Sequence, residues 1–150
     1  MYFDEEKYFA GVVPKEGYHE KVLNKDGLRL TGTFKDGKLN GVGIVNYYDN
    51  GTYLGEFVDG LRHGKGSYAG KRATLFGSHE NGLFGGTSEV KYDGFWKNDC
   101  LHGYGKLEKM IRPDPYWREE DLIYEGHFKK NLFHGPGILS LGNQYADSVF

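Results

Sequence analysis

Short apolar and polar positions alternate along this chain, and the alternation recurs at a nearly fixed interval. In Leu30-Thr-Gly32-Thr-Phe34 and again in Tyr53-Leu-Gly55-Glu-Phe57, every second residue is apolar, aromatic or glycine. A period of two is the signature of a β-strand with one face turned inward. Turn dipeptides follow at once, Asp36-Gly37 and Asp59-Gly60, with Asn81-Gly82 further along. Such pairs accept the positive φ angles of two-residue hairpin turns. A second run then returns, and Asn50-Gly51 turns the chain into the next copy. Each copy therefore predicts one β-hairpin.

With the first apolar residue numbered zero, the copies share a frame. An aromatic residue or Leu stands at zero, Gly at +2, an aromatic at +4, Gly at +7, Asn or His at +10, and Gly at +11 and +13. Leu30 opens one copy (Gly32, Phe34, Gly37, Asn40, Gly41, Gly43) and Tyr53 the next (Gly55, Phe57, Gly60, His63, Gly64, Gly66). Tyr92, Gly94, Trp96, His102, Gly103 and Gly105 fit, as do Tyr124, Gly126, Phe128, His134, Gly135 and Gly137. In these last two, Asp99 and Asn131 replace the +7 glycine; both residue types tolerate positive φ, so the turn survives. Weaker copies begin at Phe9 (Gly11, His19) and at Leu75 (Gly77, Gly82, Gly86), and Tyr145 opens one that is unfinished. The expected division is 1–29 with a degenerate copy, 30–52, 53–74, a degenerate 75–91, 92–123 with a long loop at 107–123, 124–144, and 145–150 as the start of a copy or a tail.

The glycines at +2, +11 and +13 are read as places where a large neighbour must lie flat, with the ring at zero or +4 covering glycine backbone on an adjacent strand. Stacked hairpins make an all-β, elongated antiparallel meander. Roughly ten to twelve strands at about 4.8 Å each give a rod on the order of 50 Å long, which should twist. Helix is expected at most once and briefly, within 107–123.

These residues resemble the MORN repeat, whose pattern is roughly YxGxFxxGxxHGxG; the copies at Tyr53, Tyr92 and Tyr124 match best, and the resemblance runs over about residues 9–145. The resemblance implies elongated arrays of hairpins with a grooved face, used as protein-binding scaffolds in cytoskeletal, ciliary or membrane-apposed structures. Phospholipid binding is also implied, and some members join the repeats to a lipid kinase, methyltransferase or exchange-factor domain, for which 150 residues leave no room.

Composition sharpens this picture. The 24 Gly and 24 aromatic residues point away from helices, since Gly is costly in a helix interior and aromatics favour strands. A net charge of −2 gives no overall basic field for nucleic acid or anionic lipid. The lone Cys100 permits no intrachain disulfide and suits a reducing compartment. The N-terminus lacks the basic and apolar regions of a secretory signal, and no run approaches about 18 apolar residues. A cytoplasmic protein is expected, associated with cytoskeleton, cilium or membrane.

Candidate chemistry is sparse. The four GxG pairs sit inside strand-like copies with no helix after them, unlike a nucleotide-binding loop. His63, His102 and His134 recur at +10, but equivalent positions in adjacent hairpins lie roughly 10 Å apart, too far to share a zinc ion with ligands at about 2.1 Å. Asn40 takes the same position, which fits a hydrogen bond beside the turn. No catalytic residue, cofactor or metal site is assigned. Cys100 is an incidental thiol with His102 two residues away.

The functional candidates are aromatic: Phe34, Tyr53, Phe57, Tyr92, Trp96, Tyr124 and Phe128, with Leu30, should share one face. A single layer cannot cover both of its faces, so part of this stripe is expected to meet solvent and to hold a protein partner, such as an amphipathic helix. Tyr116 and Trp117 in the 107–123 loop are added as candidates; that loop reads equally as a binding element or as a lid over local apolar surface. The leading expectation is a non-catalytic protein-binding scaffold, with a homodimer also admitted and no nucleic acid. Its alternatives are a peripheral phospholipid-binding module, supported only by the small basic pairs Lys71-Arg72 and Lys129-Lys130, and the regulatory repeat portion of a longer enzyme.

Overall fold

A computed structural model describes residues 12–77, 89–110, 122–141 and 144–149. They form one antiparallel sheet of ten strands whose spatial order is the chain order. The strands are β1 (Gly17–Leu23), β2 (Arg29–Lys35), β3 (Lys38–Asn46), β4 (Thr52–Val58) and β5 (Leu61–Lys71), then β6 (Glu89–Lys97), β7 (Cys100–Met110), β8 (Leu122–Lys129), β9 (Leu132–Leu141) and β10 (Gln144–Val149). A single helical turn, α1 (Arg72–Leu75), follows β5.

Four hairpins, β2–β3, β4–β5, β6–β7 and β8–β9, correspond to the copies opened by Leu30, Tyr53, Tyr92 and Tyr124. Each turns on two residues with positive φ: Asp36-Gly37, Asp59-Gly60, Asn98-Asp99 and Lys130-Asn131. That is the geometry of a type I′ turn, whose twist matches the strands it joins. Asp99 and Asn131 thus do the conformational task of the missing glycines.

The +2 and +13 glycines fall in register across eight strands. Gly32, Gly43, Gly55, Gly66, Gly94, Gly105, Gly126 and Gly137 are consecutive cross-strand partners, a row without side chains. The phenol rings at position zero lie over it. A Cβ built on Gly66, Gly105 or Gly137 would fall on the ring of Tyr53, Tyr92 or Tyr124 respectively. The Tyr hydroxyls reach across and donate to the +3 carbonyls: Tyr53 to Glu56 at 2.9 Å, Tyr92 to Phe95 at 2.8 Å and Tyr124 to His127 at 2.9 Å.

The +11 glycine serves a different purpose from the one expected. At Gly41 and Gly135 nothing lies within 4 Å of an added Cβ, so no ring requires them. Their φ angles of +83° and +78° do. Between +4 and +2 the first strand advances two residues while the second advances four, as from Leu39 to Gly43 opposite Phe34 and Gly32. The surplus is a bulge, and a glycine with positive φ absorbs it.

Other expectations need correction. Leu75 does not open a strand but is buried in α1, and β5 pairs directly with β6. The 75–91 copy therefore contributes no hairpin among the described residues; Asn81, Gly82 and Gly86 lie outside them. The expected 107–123 loop is shorter, because β7 runs to Met110 and β8 starts at Leu122. Phe9 and Gly11 also lie outside the described residues. Tyr145 is one residue out of frame: Ala146 pairs with Leu139, as Tyr124 pairs with Leu107 one hairpin earlier, so Ala146 holds position zero.

Gly105→Ala should push Tyr92 off the sheet and lower stability by about 1–3 kcal/mol, the usual cost of overpacking. The measurement is the urea midpoint, with Lys106→Ala on the opposite face as reference. A midpoint equal to the reference would show that the ring does not need the glycine.

Candidate functional site

The seven predicted rings come together on one face, but they are not open to solvent. Phe34, Tyr53, Phe57, Tyr92, Trp96, Tyr124 and Phe128 are all between 0 and 3% exposed. For these seven rings the expectation that part of the stripe meets water fails, for a geometric reason, while Leu30 is partly buried. The position-zero phenol rings lie over the glycine row, and the +4 rings stand nearly perpendicular to them, so that the two kinds close against one another edge to face. Phe57–Tyr53, Tyr53–Trp96, Trp96–Tyr92, Tyr92–Phe128 and Phe128–Tyr124 are separated by 5.0, 5.2, 5.2, 5.4 and 5.1 Å between ring centres. Edge-to-face pairs at this spacing are favourable beyond the area they bury. Among the described residues the rings thus cover much of this face themselves, with Leu75 of α1 packed beside them. Tyr116 and Trp117 lie outside the described residues.

A buried cation completes the cover. Arg62, only 2% exposed, stands at +9 of the second hairpin with its guanidinium 4.3 Å from the Trp96 ring centre. Its Nε donates to Asp99 Oδ1 at 2.6 Å, one terminal nitrogen donates to the Asp99 carbonyl at 3.2 Å, and the other to the Thr74 carbonyl at 3.3 Å. Thr74 in turn donates its hydroxyl to Asp49 at 2.6 Å. One residue therefore joins two hairpins and α1, and the repeat frame gives no sign of it.

Neighbouring hairpins are also clasped at their turns. The +7 amide donates to the +9 carbonyl of the preceding hairpin: Gly60 to Leu39 at 2.8 Å, Asp99 to Arg62 at 2.9 Å and Asn131 to Leu101 at 3.0 Å. Where +7 is Asn, its side chain returns the bond, Leu101 N–H donating to Asn131 Oδ1 at 2.8 Å. The +10 side chain accepts from the next turn, as expected: Asp59 N–H to Asn40 at 3.0 Å and, more weakly, Asn98 N–H to His63 Nδ1 at 3.4 Å.

Burial pushes the hydroxyls of Tyr53, Tyr68 and Tyr92 well above the ordinary phenol pKa. They remain protonated donors through neutral and mildly alkaline pH. Half-buried His102 is shifted the other way, by partial desolvation and then by Lys97, Lys129 and Lys130 around it. Half-buried Cys100 stands at the start of β7.

What the aromatic face leaves open is apolar and lies beside the rings. One cleft of about 310 Å³ is lined by Phe76, Val90, Leu107, Leu122, Leu132 and Phe133 over buried Phe128, with Arg72, Lys109 and Asn131 beside them. Phe133 stacks on Tyr124 at 3.9 Å, so the cleft continues the aromatic row. Another, of about 280 Å³, lies over Leu28, Leu30, Leu39, Tyr47 and Phe57. The opposite face alternates charged residues with exposed Val42, Leu54, Phe95, Tyr104 and Ile138. There Ser67 donates to Asp93 at 3.0 Å and Tyr104 to Glu125 at 2.6 Å.

Comparison with known proteins gives the same frame. The family model described as "MORN repeat" matches residues 31–52, 53–71, 92–109 and 124–144, the four hairpins of the sheet. Among curated proteins, the chain is similar to "ALS2 C-terminal-like protein" of Homo sapiens, 30% identical over 111 residues, covering 72% of this chain and 9% of that protein. It is also similar to "Alsin" of Rattus norvegicus, 28% identical over 117 residues, covering 78% of this chain and 6% of that one. The chain thus spans less than a tenth of the length of these relatives.

Two measurements probe this arrangement. Asp99→Asn keeps a residue that tolerates the positive φ of this turn but removes the charge facing the buried guanidinium, and should cost about 1–3 kcal/mol; a calorimetric loss no larger than that of Asp93→Asn would contradict the role given to Arg62. The Tyr hydroxyls have higher pKa values folded than unfolded, so their contribution is complete below the ordinary phenol value of 10.0 and declines as pH rises beyond it. Denaturation midpoints should therefore hold steady to about pH 10 and then fall, with tyrosinate absorbance rising as the protein unfolds.

Proposed function

The chain belongs to the MORN-repeat family, and from that premise we propose that it is a non-catalytic array that binds a protein partner through the apolar cleft beside Phe128 and Phe133. Repeats of this family commonly bind proteins or membranes. The observation that carries the reading is the composition of that cleft, seven apolar side chains among the described residues, with Arg72, Lys109 and Asn131 beside them. The apolar face of an amphipathic helix has the matching chemistry. The buried rings from Phe34 to Phe128 then act as the bed that shapes the cleft, while Leu107, Leu122, Leu132 and Phe133 make the contact. A cytoplasmic setting at cytoskeletal, ciliary or membrane-apposed structures belongs to the same reading, as does service as the repeat portion of a larger protein, for which the greater length of the relatives speaks.

A second reading, attachment to anionic phospholipid, has one observation in its favour. Lys97, Lys129 and Lys130 gather near His102 and His134 on the edge formed by the hairpin turns. Three lysines fall short of the four to eight that usually mark such attachment, so the protein-binding reading comes first.

Leu132, at 70% exposed, can be truncated without opening the core. With a partner in hand, Leu132→Ala and Leu122→Ala should each weaken binding, together by about 2 kcal/mol or more, while the fold is retained. Leu54→Ala and Ile138→Ala on the opposite face should have little effect. Titration calorimetry ranks the four, and the reverse ranking would move the interface to the other face. Binding to anionic vesicles that disappears with salt and with Lys129→Ala/Lys130→Ala, but not with Leu132→Ala, would favour the lipid reading.

A further inference from the structure

The row of phenols lacks a member at the β2–β3 hairpin. In the three later hairpins the residue at zero is tyrosine, its ring covers the +13 glycine of its own hairpin, and its hydroxyl reaches the +3 carbonyl. Tyr53 stands between Phe57 and Trp96, and Tyr92 between Trp96 and Phe128. The β2–β3 hairpin keeps the frame but sets Leu30 opposite Val45, where the next hairpin sets Tyr53 opposite Tyr68. A Cβ built on Gly43 would meet Phe57 of the next hairpin at 3.3 Å and no ring of its own. Leu30 has no hydroxyl to give the Thr33 carbonyl, which stands at the same bulge as the +3 carbonyls that the tyrosines reach. Among the described residues no ring contact joins Phe34 to Phe57. The cleft of about 280 Å³ opens over this place, lined by Leu28, Leu30, Leu39, Val45, Tyr47 and Phe57.

We propose that this cleft is a binding site for a single tyrosine side chain of a peptide partner, whose phenol takes the place in the row that Leu30 leaves vacant. An incoming ring meets Phe57 as Tyr53 and Tyr92 meet the +4 rings beside them, a contact favourable beyond the area it buries. Its hydroxyl finds the Thr33 carbonyl as a partner. The space suffices for one ring, since an apolar cavity of about 150 Å³ holds benzene. The polar lining sets the chemistry beside the tyrosine. Arg62 is held by Asp99 at 2.6 Å, while Lys38 makes no ion pair among the described residues. A carboxylate next to the tyrosine therefore matches the cleft and an ammonium does not. This cleft shares no lining residue with the one beside Phe133, so either site can fail without the other.

The probe is p-cresol, the tyrosine side chain without its backbone, titrated into the 150-residue chain and followed by NMR. At millimolar concentration, the range suited to so small a ligand, ring-current shifts should appear at the methyl groups of Leu28, Leu30, Leu39 and Val45. Those of Leu122 and Leu132 in the other cleft should stay in place. Leu30→Tyr supplies the ring from within the chain: the thermal midpoint should rise and the p-cresol dissociation constant increase by about tenfold or more. Leu28→Ala shortens a half-buried wall of the cleft and should weaken p-cresol several-fold, whereas Leu132→Ala should not. N-acetyl-aspartyl-tyrosinamide should bind more tightly than N-acetyl-lysyl-tyrosinamide, and Lys38→Ala should remove the difference. Absence of methyl shifts, shifts confined to the other cleft, p-cresol binding indifferent to both Leu30→Tyr and Leu28→Ala, or the reverse order of the two peptides would overturn the proposal. A cleft already filled by another part of the chain would give the first of these results.

Discussion

Everything in this sheet depends on a phenol ring lying flat on a pair of glycines. Paired glycines alone make a poor strand, with nothing to pack and more backbone freedom to lose. A large ring standing upright on a single-layer sheet would be mostly wet. Each corrects the defect of the other: the ring supplies the missing contact, and the absent Cβ atoms of Gly66, Gly105 and Gly137 give it room to lie down. The hydroxyl-to-carbonyl bond then fixes the direction in which the ring lies, which is why Tyr occupies zero in the three best-formed hairpins while Phe and Trp occupy +4. The Trp96 N–H, bonded at 3.1 Å to the Gly66 carbonyl of the hairpin before it, carries the same logic across the joint.

The joints are held by polar contacts as well as by strand pairing. Turn amides meet strand carbonyls of the preceding hairpin, and Asn40 and His63 add side-chain acceptors. Arg62 is the strongest instance and the most demanding. Its charge is removed from water and repaid by Asp99, whose side chain stays partly hydrated, and by the face of Trp96. Such an arrangement contributes little over an apolar substitute but is costly to break, so its effect is to fix how the second hairpin meets the third and where α1 docks.

Much of the architecture was legible because it is local or periodic. The alternation, the turn residues and the +2 and +13 glycines each express a rule that acts within one copy, and repetition makes the rule visible. What escaped was what depends on the relation between copies. That Arg62 would find Asp99, 37 residues away, requires knowing that +9 of one hairpin meets +7 of the next. The substituted +7 residues looked merely tolerated, whereas Asp99 and Asn131 reach back to hold the preceding hairpin. The candidate site was misjudged for a related reason: seven rings were placed correctly on one face, but their alternation of tyrosines over glycine with Phe and Trp set edge-on between them, and hence their burial, follows from cross-strand register. The apolar cleft beside them is built partly from Phe76, Val90 and Leu107, which belong to no conspicuous motif.

Because spatial order follows chain order throughout, the molecule can be regarded as a one-dimensional lattice whose rungs touch mainly their nearest neighbours. Its free energy is then close to a sum of rung and joint contributions, and ordering can begin at any good pair of rungs and spread in both directions. Each strand pairs only with the strands next to it in the chain, which keeps the sequence separation of paired strands modest for an all-β fold and favours rapid folding. The same topology explains how the lattice accommodates irregular intervals. The chain leaves at Lys71 and returns at Glu89, and leaves at Lys109 and returns at Leu122, in each case to the directly opposed position. Departures that begin and end on facing rungs leave the pairing phase untouched. Such intervals can lengthen, shorten and diverge in sequence while the spine keeps count.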